Sequence, residues 1–107
     1  MNSVPLSEMV FDTFAGLLHS RFRVCENAQA FVELELTDAT AHKTSPAPTG
    51  SFSLVFTGPL HQFLPQRTYL FEHEKLGRFD LFIVPIGKDQ NGFQYEAVFN
   101  RPSQETR

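Results

Sequence analysis

Glu72-His73-Glu74 is the tripeptide whose residue types could hold a metal ion or run acid–base chemistry, with two carboxylates around an imidazole. In an extended segment successive side chains leave on opposite faces, so His73 points away from both glutamates and the three cannot converge on one ion. His19, His42 and His61 show none of the short spacings of zinc sites. No metal and no cofactor is expected. His73 is expected to close the end of an apolar face, using one ring nitrogen for a hydrogen bond.

Glu33 and Glu35 share one face of an alternating segment, as paired glycosidase carboxylates would, but a wet strand face has nothing to drive their proton affinities apart. The single Cys25 needs a neighbouring base to become a nucleophile; its plainer role is that of a small apolar residue. Arg21 and Arg23 lie on one side of a strand and are expected to be solvated. No phosphate-binding loop, dinucleotide fingerprint or nucleophile elbow occurs. A small hydrolase or isomerase using His73 with Tyr69 or Glu96 is the weakest of the functional readings, and no catalytic residue is assigned.

The elements that position these residues follow from the apolar pattern. Val10, Phe11, Phe14, Leu17 and Leu18 recur every three or four residues, which predicts a helix over 7–19 with Ser7 as N-cap. Residues 21–37 alternate twice and predict the first two strands; residues 38–50, with two prolines and no apolar period, predict a mobile loop. Residues 51–100 carry further alternating runs separated by Gly-bearing breaks, and 101–107 form a tail. The whole, 1–107, is expected to be a single domain: an antiparallel six-stranded β-barrel or strongly curved sheet with one N-terminal helix.

Register is expected to follow from a Lys75-Leu76-Gly77 loop that pairs Glu74 with Arg78, and from a turn within GKDQNG. The predicted core is Phe14, Leu34, Phe52, Leu54, Phe56, Tyr69, Phe71, Leu81, Ile83, Ala97 and Phe99. Twelve Phe and no Trp make that core unusually rich in rings. Gln66 is placed to satisfy backbone groups of the Gly58–Gln66 turn region, and Pro85 requires its strand to lie at an edge or to bend. The opposite face of the same strand carries Phe82, Val84 and Ile86, which a wet sheet face would not present to water. The N-terminal helix is the first candidate to cover them; a second copy of the chain, giving a homodimer, is the other.

A formal charge of −3 lacks the clustered cations that a phosphate backbone requires, so nucleic acid is not an expected partner. The longest apolar run, at 81–86, is far shorter than the roughly 20 residues of a membrane-spanning helix, and the apolar start is broken by Glu8 and Asp12, so no leader is expected. One cysteine fits a reducing compartment, and the chain is expected to be cytoplasmic.

FSLVFTGP at 52–59, LPQ with Tyr69, EH with Leu76-Gly77, LFIVPIG at 81–87 and YEAVFN at 95–100 together resemble a family of short bacterial proteins known only as a domain of unknown function. The family pattern has Gly where this chain has Arg67 and Pro where it has Glu74, departures that bear on both turns. The resemblance implies a bacterial source and a neighbourhood with phage-tail-like proteins, and it supplies no catalytic residues. The expected function is a non-catalytic protein-interaction or structural module of a bacterial assembly. The alternative is a barrel enclosing an apolar cavity for a small molecule.

Overall fold

The computed structural model describes residues 11–27, 29–41 and 52–99. They form a short helix, α1 (Phe11–Ala15), and six strands: β1 (Arg21–Asn27), β2 (Ala30–Ala41), β3 (Phe52–Gly58), β4 (Arg67–His73), β5 (Gly77–Asp89) and β6 (Gly92–Phe99). The strands close into a barrel in the order β1-β2-β3-β6-β5-β4, with every neighbouring pair antiparallel. Closure, rather than an open curved sheet, removes free sheet edges. The closing seam is the shortest, with Arg23, Val24 and Cys25 of β1 opposite Glu72, Phe71 and Leu70 of β4.

Period-two alternation sends one set of side chains inward. All eleven residues of the predicted core are buried, joined by Phe22, Val24, Val32, Leu36, Phe79 and Tyr95 from the strands. Each large apolar side chain so buried contributes roughly 1.5–3 kcal/mol. The rings meet at the spacings of tilted and edge-on pairs: Phe22 and Phe56 at 5.3 Å, Phe56 and Phe71 at 5.3 Å, Phe14 and Phe99 at 5.4 Å. Side chains therefore fill the interior.

Each end of the barrel is stoppered by a residue from outside the strands. At one end α1 inserts Phe14 between Phe22, Phe52, Phe79 and Phe99. At the other, the β3–β4 loop buries Leu64 completely. The helix is shorter than the 7–19 expected: it ends at Ala15, turns through residues 16–19, and finishes with His19 at a φ of 70°. The Leu17 amide already bonds to the Phe14 carbonyl and His19 donates to Leu36 of β2, so backbone groups a longer helix would use are spent on docking. Its expected start at Ser7 lies outside the described residues.

Strand limits also move. β1 continues to Asn27, and β2 runs to Ala41, so residues 38–41 of the expected loop are strand, paired with Val55, Leu54, Ser53 and Phe52. The remainder of that loop, and the tail, lie outside the described residues. Three irregularities in register, at Glu26, Thr37 and Ile86, supply the local bending that a small barrel needs. The one at Ile86 follows Pro85, whose strand thus bends rather than lying at an edge.

The β4–β5 hairpin corrects one expectation. Glu72, not Glu74, faces Arg78, and His73 faces Gly77, leaving Glu74, Lys75 and Leu76 in the turn. Leu76 is buried in the barrel end and His73 Nδ1 accepts the Lys75 amide at 3.0 Å; both hold the turn one step earlier. Gly77 has a φ of 79°, the left-handed conformation anticipated there. A slip of two residues leaves every side chain on its face, so the core is unaffected.

Candidate interaction face

His73 is almost fully buried, at 6 % exposure, and packs at 4.4 Å from the Phe22 ring. Both ring nitrogens are engaged, not one. Because Nδ1 accepts the Lys75 amide, Nε2 carries the proton and donates to Ser20 Oγ at 3.0 Å, while that hydroxyl donates to the Leu17 carbonyl at 2.6 Å. The chain of bonds ties the β4–β5 turn to the segment after α1. Burial pushes the imidazole below its ordinary pKa, opposed by nearby Glu74 and aided by Lys75.

Tyr69 donates to the Pro65 carbonyl at 2.6 Å, and Tyr95 accepts the Leu64 amide at 3.0 Å. Burial raises both phenols above their ordinary pKa. These two residues fasten the β3–β4 loop over the barrel end, whereas Gln66 stands exposed beside it. His73 lies at the opposite end, and Glu96 is on the outer face of β6. The structure does not bring His73, Tyr69 and Glu96 together.

The outer surface divides into a charged flank and an apolar one. On the β1 flank, Arg21 lies 3.6 Å from Glu33, and Glu72 meets Arg78 at 2.9 Å and Arg23 at 3.9 Å. Arg23 also sits 4.1 Å over the exposed Phe31 ring. Glu35 meets His19 rather than a second carboxylate, at 3.1 Å. Cys25 is half-buried in an open depression with Arg23, Phe31, Leu70 and Glu72. No group of three metal-binding side chains occurs among the described residues.

On the flank formed by β3, β6 and β5, large apolar side chains point outward among polar ones. Phe82 is 48 % exposed, Ile86 52 % and Val98 59 %, with Val84 and Val55 half-buried beside them. Val55 faces Glu96 and Glu96 faces Val84, so one row reads Val55, Glu96, Val84 across three strands. In the next row Ser53 faces Val98, and Thr68 of β4 faces Phe82. The described helix does not cover this flank: α1 packs against β2 and sends Phe14 into the barrel end. Sequence periodicity found Phe82, Val84 and Ile86 but missed Val98 and Val55, which join them only through the β3–β6–β5 neighbourhood.

Among the described residues these features define a closed six-stranded antiparallel β-barrel with a filled interior, a short helix as stopper and a flank of half-exposed apolar side chains. The chain belongs to the family described as Domain of unknown function (DUF6916), whose model matches residues 9–99. No curated protein and no solved structure matches it. No helix among the described residues is long and apolar enough to cross a membrane, which says nothing of crossing by strands.

Proposed function

We propose that this protein is a non-catalytic protein-interaction or structural module of a bacterial assembly, working in the cytoplasm and docking through the flank of Phe82, Val84 and Ile86. One observation carries the reading: large apolar side chains stand half-exposed together on one side of a barrel whose inward positions are occupied by buried rings and aliphatic side chains. The rings that fill the barrel weigh against a ligand cavity, and the separation of His73, Tyr69 and Glu96 weighs against a hydrolase. The family resemblance supports a bacterial setting.

The test compares wild type with a Phe82→Ser/Ile86→Ser double variant as immobilised bait in extract of the native cell. A protein retained by wild type and released by the variant supports the reading; identical sets of retained proteins sink it. Light scattering addresses self-pairing. A single copy at high concentration, with Val84→Asp leaving mass and solubility unchanged, excludes the homodimer.

A further inference from the structure

We infer that the flank of β3, β6 and β5 receives a segment of another protein that presents a basic side chain between apolar ones, the cation meeting Glu96 while its neighbours cover Phe82, Val84 and Val98. This rests on the interaction-module reading and names the chemistry of the partner.

The barrel is closed, so a partner strand has no free edge to extend and must recognise side chains. Within the row Val55, Glu96, Val84 the ionisable group is Glu96, half-buried, with Val55 opposite it on one side and Val84 on the other, whereas Asp80, outward on β5 two residues from Phe82, stands exposed at the margin of the flank. Acids of the β1 flank have cations beside them: Glu33 has Arg21, and Glu72 has Arg23 and Arg78. Glu96 makes no ion pair among the described residues.

A wholly apolar partner would strip water from that carboxylate and leave it unpaired, which is strongly unfavourable. A second copy docked about a two-fold axis through the middle of the flank would set one Glu96 against another. A Lys or Arg at that point removes both difficulties. Arg suits it best, because its fork can take both carboxylate oxygens and its weakly hydrated plane tolerates apolar neighbours.

A random-peptide display library panned on the folded wild-type protein tests this, with enriched peptides remeasured by fluorescence anisotropy against Glu96→Gln and Phe82→Ser. Both side chains point outward, and unchanged melting of the variants confirms their fold. Enriched peptides should carry Arg or Lys with apolar residues within a few positions. Glu96→Gln should weaken them about tenfold and reduce their salt dependence, and Phe82→Ser should weaken them at least as much. Peptides without a cation, indifference to Glu96→Gln, or no enrichment at all would overturn the inference. If binding ignores Glu96→Gln yet disappears in Phe82→Ser, the docking flank survives and only its charge chemistry fails. Binding that Phe82→Ser leaves intact removes the flank itself, and a sedimenting dimer lost in Phe82→Ser gives the site to a second copy.

Discussion

The phenolic oxygen of Tyr95 accepts the backbone amide of Leu64 at 3.0 Å, inside the protein, where neither residue is exposed to water. A core residue of β6 thereby holds the loop residue that stoppers one end of the barrel. In Tyr95→Phe the ring still fills its space, but the Leu64 amide is left buried without that partner. The expected loss is about 1–3 kcal/mol, measured as a shift of the urea midpoint at constant slope. Tyr69→Phe, whose bond to the Pro65 carbonyl is only partly buried, should cost less. Equal midpoints for Tyr95→Phe and wild type would mean that the loop is held by Leu64 packing alone.

That loop also marks where the sequence stops being informative. Inward positions of the strands were legible because alternation is a property of the backbone and survives a two-residue slip; Tyr69, Phe71, Leu81 and Ile83 are buried although the expected Glu74–Arg78 pairing is not the one formed. Leu64 and Leu76 belong to a loop and a turn, carry no period, and reveal their burial only when the barrel ends are built. The second half of β2 was hidden for a related reason. Asp38 and Thr40 alternate with Ala39 and Ala41, whose small side chains give a weak apolar signal beside the prolines that follow. The apolar flank was half legible: Phe82, Val84 and Ile86 share a strand, while Val98 and Val55 join them only through barrel order.

His73 gives the fold a calculable response to acid. Its pKa in the folded protein is depressed below the unfolded value of about 6.5, chiefly by burial, and Nδ1 must stay unprotonated to accept the Lys75 amide. The unfolded chain therefore binds a proton here before the folded one does. The associated stability is fully present above the unfolded pKa and is lost as pH falls from there through the folded pKa. Stability measured from pH 7.5 downward should begin to decline near pH 6.5, before carboxylates titrate. His73→Gln should start lower at neutral pH and lack that early decline. A decline of the same size in His73→Gln would assign the effect to other groups.

Gly92 follows the two-residue turn Gln90-Asn91 with a φ of 149°, a conformation that L side chains rarely adopt. A Cβ there would also run into the Gly58 carbonyl oxygen and approach Thr57 Cγ2 at 3.0 Å. The two objections are independent, one local and one across the β3–β6 pair, and relaxing one does not relieve the other. The obstacle is backbone rather than the far end of a flexible side chain, so the strands themselves would have to part. Gly92→Ala should therefore lose about 1–3 kcal/mol from strained backbone alone, and more from displacement of β3. Gly87→Ala on the same hairpin, where a Cβ would meet only Gln94 Oε1 at 3.7 Å, is the control and should stay close to wild type in thermal melting. If the two variants melt together, the close approach of β6 to Gly58 does not constrain this hairpin.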